Sequence, residues 1–283
     1  MSRFAFHRYN AKEIYEINSG LTAASEICAA EKTILSLAHS SDGAFYIVDR
    51  GGSKTIWKHY ISGVESSFYQ HPLVIRCVRT RNVNNQERVY FIALRDGSSA
   101  DLCYLDSSKT AISYYLIDSK NFLIPDPCSP GSEFHWGQPP TQFAFDSHDN
   151  LYLTLDNTTP SGIWKIPGAG PAGVTGTISR IYSTTTGSIN GLCCDGSKLY
   201  FHGDDAMIYS FDPVTHEVKP FFDTVAIATS HSMWDSACKP ETSSSALMSP
   251  LDWIRSWQWF WPWAAVKKWI SMDKGQRSKG VEE

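Results

Sequence analysis

The sequence predicts an all-β protein, a β-propeller of five blades, followed by a C-terminal tryptophan-rich helix. Three observations predict it. First, a pair of strands recurs: "NLYLTLD" and "GIWKI" within residues 150–166 are matched by "AFYIVDRGGSKTIWKHY" (44–60), "RVYFIALRDGSSADLCYLD" (88–106) and "KLYFHGDDAMIYSFDP" (198–213). Second, the aromatic residue of the later strand recurs as Tyr15, Trp57, Tyr104, Trp164 and Tyr209, at intervals of 42, 47, 60 and 45 residues. A period in the forties, with β-branched and aromatic strands between turn residues, marks four-stranded blades around an axis. Third, the two ends complement each other. The chain opens on "RFAFHRYN", a second strand with no innermost strand before it, and closes on "TVAIATSHSMWD" (Thr224 to Asp235), an innermost strand without its blade.

The innermost strands of the other blades read as "TILSLAHSSDG", "LVIRCVRTRN", "TQFAFDSHDN" and "SINGLCCDGS". If the closing strand joins the amino-terminal strands, the ring has five blades and hides its exposed edges. A fragment or variant of a six-bladed propeller is the alternative. The expected organisation is a propeller over 1–238, a linker over 239–250, an amphipathic helix over 251–272 and a disordered tail over 273–283.

At 283 residues, with 42% hydrophobic and 19% charged residues, the chain is long and apolar enough for a large core. A net charge of -4 gives no basic footprint for nucleic acid. The amino terminus lacks an apolar run of signal-peptide length. Seven cysteines stand at irregular spacing without a CxxC pair, which argues against a zinc site. Most of them are expected to be reduced core residues, and the expected location is cytoplasmic, peripheral to a membrane.

The strings "FAFDSHDNLYLTLD" and "INGLCCDGSKLYFHGDD" resemble the blade consensus of the NHL-repeat proteins and of the senescence-marker/gluconolactonase family, over about 190 residues. The shared motif is an apolar strand, then "DG" or "DN", then "LY". The gluconolactonase-like enzymes hold a divalent metal in the channel through Glu, Asn and Asp at the starts of innermost strands. The resemblance places Asn190 at the asparagine position. Counting along the chain makes Leu35 and Thr141 its equivalents, and no Glu stands at the glutamate position.

Ligands of propellers bind where the second-to-third-strand loops and the blade-to-blade loops gather. Second strands end there at Asp49, Asp96, Asp156 and Asp204, with Asp205 beside the last. They suit a cation site or paired acid/base carboxylates, or caps of their own turns; repetition favours the caps. The insert Asp118 to Pro140, rich in Pro and Gly, argues against regular structure. Its Phe134, His135 and Trp136 suit a lid over a ligand or a plug of the channel. His231, Asn190 and Thr141 suit a small polar site facing the channel. No HExxH, GxSxG, P-loop or helix-opening GxGxxG is present, and "GAGPAG" (168–173) reads as a loop.

The segment "LDWIRSWQWFWPWAAVKKWISM" carries Trp253, Trp257, Trp259, Trp261, Trp263 and Trp269. Trp253, Trp257 and Trp261 share one helical face. The uncharged run over 256–266 is short of the roughly 20 residues needed to span a bilayer, and Pro262 interrupts the helix. Tryptophans at the headgroups, with Lys267 and Lys268 on anionic lipid, suit an interfacial helix. A helix packed on the propeller or a partner is the alternative. The expected function is a non-enzymatic scaffold binding a protein or small molecule at the channel mouth, tethered by this segment. A lactonase-type hydrolase at the mouth is the alternative. No cofactor is expected, with Ca2+ or another divalent metal as the alternative, and no nucleic acid.

Overall fold

The computed structural model describes residues 4–8, 11–18, 20–95, 99–118, 124–125, 133–134, 142–155, 161–168, 179–184, 189–203, 207–224 and 233–238. Short strands rich in Val, Ile, Phe and Tyr, apolar on both faces, must be covered on both sides. Face-to-face stacking of sheets around an axis achieves this.

The chain begins with β1 (Phe4–Arg8), β2 (Glu13–Ile17) and β3 (Ala24–Ala29). Blade 2 is β4 (Ile34–His39), β5 (Phe45–Asp49), β6 (Thr55–His59) and β7 (Glu65–Gln70). Blade 3 is β8 (Val74–Val83), β9 (Gln86–Leu94), β10 (Ser99–Leu105) and β11 (Ala111–Asp118). After a two-stranded ladder, β12 (Ile124–Pro125) with β13 (Glu133–Phe134), blade 4 follows as β14 (Gln142–Phe145), β15 (Leu151–Leu155), β16 (Ser161–Ile166) and β17 (Ser179–Thr184). Blade 5 is β18 (Asn190–Cys194), β19 (Leu199–His202), β20 (Met207–Phe211) and β21 (Val218–Asp223). Last comes β22 (Met233–Cys238), which pairs antiparallel with β1 and completes blade 1 in the order β22-β1-β2-β3. The innermost strands β22, β4, β8, β14 and β18 pack in turn, β18 against β22, so the five-bladed ring is closed.

Two expectations are corrected. The closing strand was expected over Thr224 to Asp235, but the pairing residues are Met233–Cys238, with Phe4 opposite Cys238 and His7 opposite Asp235. Backbone pairing with β1 sets that register. The insert was expected to lack regular structure, yet Ile124 pairs with Phe134 and Pro125 with Glu133. Proline is compatible with an edge strand of this kind.

The aspartate that precedes "LY" by a few residues has a direct role. Asp146 Oδ1 accepts from the backbone N–H groups of His148 (2.8 Å) and Asn150 (3.0 Å), while Oδ2 accepts from Tyr152 Oη at 2.8 Å. Asp195 repeats this with Ser197 N (2.9 Å), Lys198 N (2.8 Å) and Tyr200 Oη (2.9 Å). One carboxylate thus folds the first hairpin and anchors the tyrosine of the next strand. Burial, then the neighbouring aspartate, push both phenols well above the ordinary tyrosine range. Blade 2 varies the device: Tyr46 Oη donates to Glu87 of blade 3 at 3.0 Å, and burial first of all pushes its phenol up to about 12.

Each seam has its own link. Lys32 ties blade 1 to Glu65 of blade 2 at 3.1 Å and lies 3.6 Å over the Trp57 ring. Glu87 accepts from Ser40 Oγ at 3.0 Å across the next seam. Arg81 pairs with Asp149 between blades 3 and 4, and Ser147 N donates to Gly196 O at 3.0 Å between blades 4 and 5. At the closing seam the Phe4 ring packs edge-on to Tyr200 at 5.5 Å and beside Phe221 at 5.5 Å.

A chain lacking residues 1–18 loses β1 and β2 and leaves β22 and β3 without partners. It is expected to lose cooperative thermal unfolding, which calorimetry measures against the full chain.

Candidate functional site: the central channel

In a closed ring each innermost strand turns one unpaired edge toward the axis, so its carbonyl groups need donors. The cross-strand registers define equivalent rungs in the five blades. Ser36, Cys77, Gln142, Asn190 and Asp235 stand opposite Val48, Ile92, Thr154, His202 and His7. The next rung is Leu37, Val78, Phe143, Leu192 and Ser236. Asn190 is therefore level with Ser36 and Gln142, not with Leu35 and Thr141 as counting along the chain suggested. The bulge between Asn190 and Leu192 causes the offset, inserting Gly191 between two rungs that are consecutive in the other blades.

Arg79, 6% exposed, reaches across the axis. Its Nη1 donates to Val78 O at 2.7 Å and Leu37 O at 3.1 Å. Its Nε donates to Phe143 O and Leu192 O, both at 3.0 Å, and Nη2 to Leu192 O at 2.6 Å. These carbonyls belong to blades 3, 2, 4 and 5, all on one rung. Nη2 also donates to Gln142 Oε1 at 2.8 Å and Nη1 to Ser36 Oγ at 3.2 Å, on the rung above. Cys77 Sγ donates to the same Gln142 Oε1 at 3.0 Å, and Ser36 Oγ approaches Cys77 Sγ at 3.5 Å. The side chains of this rung pass a polar contact from blade 2 to blade 3 to blade 4. Sequence reading missed Arg79, Gln142 and Asp235, because only the register brings them to the axis.

The resemblance implies a divalent metal in this channel, and the residues do not fit one. Beside Asn190 and one carboxylate residue, Asp235, the rung offers Ser, Cys and Gln where further oxygen anions are wanted, and Ser36 and Gln142 already accept from a fixed guanidinium. A divalent cation there would lie beside a permanent positive charge in a poorly screened interior. Among the described residues, no group of three or more His, Cys, Asp or Glu is gathered to hold a metal.

Of the other candidates, Phe134 ends β13, and Thr141, Asp156, Asp204, Asp205, Asp96, His135, Trp136 and His231 lie outside the described residues. So do all the tail residues, Trp253, Trp257, Trp259, Trp261, Trp263, Lys267 and Lys268 with their expected helix. Asp49 does cap its turn, accepting from Gly51 N at 2.9 Å. The free thiols are not activated. Burial first, then a nearby carboxylate, push Cys28 up to about 11 and Cys103 to about 12, and burial pushes Cys194 up to about 12. Cys193 departs from the expectation of reduced cysteines, being disulfide-bonded.

Behind Asn190 and Asp235, on second strands of adjacent blades, stand His202 and His7, 1% and 0% exposed. Burial, helped by His7, pushes His202 down from 6.5 to about 3.

No family model and no curated protein matches the chain. Among solved structures, a gluconolactonase of Xanthomonas campestris shares 11% identity at a TM-score of 0.50, covering 82% of this chain and 74% of that one. A protein of Lactobacillus plantarum shares 16% identity at a TM-score of 0.36, covering 78% of this chain and 66% of that one. At these identities the likeness to the gluconolactonase is one of fold: this chain shares its propeller architecture.

Two outcomes are expected. Arg79→Met leaves several buried carbonyls without donors and should lower the unfolding free energy in urea by about 3–5 kcal/mol. Arg79→Lys should recover less than half of that, because an ammonium cannot span four strands. Because the folded state holds His202 neutral, its contribution to stability is full above pH 6.5 and is lost as pH falls toward 3. His202→Leu should flatten the loss of melting temperature over that window by the equivalent of one proton.

Proposed function

We propose that the chain is a non-enzymatic scaffold: a propeller with a sealed axis that binds a protein or small molecule at its mouth and is brought to a membrane surface by its tryptophan-rich segment. The observation that carries this reading is Arg79. A guanidinium with all three nitrogens engaged by four blades is a structural plug, and it occupies the place where an axial reaction centre would have to open. The raised thiols of Cys28, Cys103 and Cys194 support the same reading, since a thiol nucleophile needs a lowered pKa.

The tether rests on composition. Six tryptophans fall within 251–272, and on a helix interrupted at Pro262 they would lie all round it and could not bury one another. Moving even three out of water contributes several kcal/mol at about 25 cal/mol per Å² of apolar area. Lys267 and Lys268 add an attraction to anionic lipid that salt weakens.

A second reading, a lactonase-type hydrolase at the mouth, is favoured by one observation. The registers put an amide and a carboxylate, Asn190 and Asp235, on one rung of the neighbouring strands β18 and β22.

Two assays separate the readings. The full chain should float with phosphatidylserine-containing liposomes at low salt, and a chain ending at Thr242 should not. If both float, or neither does, the tether is wrong. The purified full chain should hydrolyse neither aldonolactones nor simple aryl esters above background. Turnover abolished by Asp235→Asn would establish the hydrolase instead.

A further inference from the structure

Cys193 is disulfide-bonded. Of the seven cysteines, Cys28, Cys77, Cys103 and Cys194 are free, which leaves Cys128 and Cys238 as partners. We infer that the partner is Cys238, and that the bond is a covalent clasp across the one seam where the two ends of the chain meet.

The parity of the strands carries the inference. Cys193 packs in a cluster with Phe4, Phe6 and Ile17, so it lies on the face of blade 5 that meets blade 1. Phe4 of that cluster is the direct cross-strand partner of Cys238. Residues directly opposite in a ladder share one face of the sheet. The register therefore puts Cys238 on the face of blade 1 that meets blade 5. The heights agree as well. Cys193 stands opposite Tyr200 and Cys238 opposite Phe4, and those two rings touch at 5.5 Å between centroids. The strands that carry the two cysteines are neighbours in the inner ring.

The alternatives fit worse. Cys128 falls between β12 and β13, in the connection from the end of β11 to the start of β14. That connection joins blades 3 and 4 at the mouth, where innermost strands begin. Cys193 is the penultimate residue of β18, toward the opposite end. Cys194, next in sequence, points away from the seam, since it packs with Ala144 and Tyr152 on the blade 4 side. It does not exchange with its neighbour's bond, because its raised pKa keeps it a thiol.

Forming the bond removes two protons and two electrons from the thiols of Cys193 and Cys238. A small disulfide such as oxidised glutathione accepts the electrons and leaves as two thiols. The clasp forms where thiols are oxidised and is lost where they are kept reduced. It thus sets the ring's resistance to opening by compartment, and it goes beyond the scaffold reading without depending on it.

The test maps the bond and then weighs it. The full chain, equilibrated with oxidised glutathione, is alkylated, digested without reduction and analysed by mass spectrometry. A peptide linking Cys193 to Cys238 is expected. A link to Cys128, a link between two chains, or alkylation of both cysteines overturns the inference. Cys193→Ser and Cys238→Ser should each lower the melting temperature by roughly 5–15 °C. The double variant should melt no lower than the worse single one, and Cys128→Ser should melt unchanged. Additive losses in the double variant would sink the clasp. If a serine variant fails to fold, the peptide map of the unaltered chain decides alone.

Discussion

The ring depends on how its inner edges are satisfied. Five blades placed face to face bury their sheets well, but they turn five rows of backbone groups toward a space too narrow for ordered solvent on every side. Arg79 resolves this with one side chain. It is long enough to cross the axis, planar enough to aim donors in several directions, and charged at any accessible pH. Its partners are carbonyls from four blades on one rung, so it measures the registration of the blades against each other. A slip of one residue in any of those strands would move a carbonyl out of reach. Carbonyl dipoles and the side-chain oxygens of Ser36 and Gln142 are among the groups that surround its charge.

Function follows from where the polar groups go. Conserving a wide axial pocket and plugging the axis are incompatible uses of the same space. Here the rung above the plug passes contacts from Ser36 to Cys77 to Gln142, and the guanidinium draws on both ends of that chain. Of the aspartates that suit a cation site when read as letters, Asp49 is described, and it is a turn device; Asp146 and Asp195 likewise hold backbone N–H groups.

The closing seam differs from the other four. The others join blades that are consecutive in the chain, so a single connection links each pair. The seam between blades 5 and 1 joins the two ends of the propeller and depends on β22 pairing with β1. Two buried histidines, packed rings and a bonded cysteine all gather there. Acid, which would charge a buried imidazole, acts on the same seam that aromatic packing holds shut.

The sequence by itself determined the architecture. Periodic strand pairs, turn residues and complementary ends are local signals, and a blade is built from local hairpins, so blade count and the pairing of the two ends were legible. Asp49 was also legible as a cap, because a carboxylate and the turn it folds lie within a few residues; Asp146 and Asp195 were not singled out. The site was much less legible. Asn190 could be singled out by a resemblance, but its true neighbours, Ser36, Cys77, Gln142 and Asp235, are set by a bulge that counting along the chain does not see. Arg79 looked like one more residue in an alternating strand. Its partners outside its own strand lie 42 to 113 residues away in sequence. The closing strand was misplaced toward its amino-terminal side for the same reason, since only pairing with β1 selects Met233–Cys238. Local propensity and spacing decide which strands form. Which residues meet at the axis is decided by register across blades, a property of the closed ring that no single stretch of chain contains.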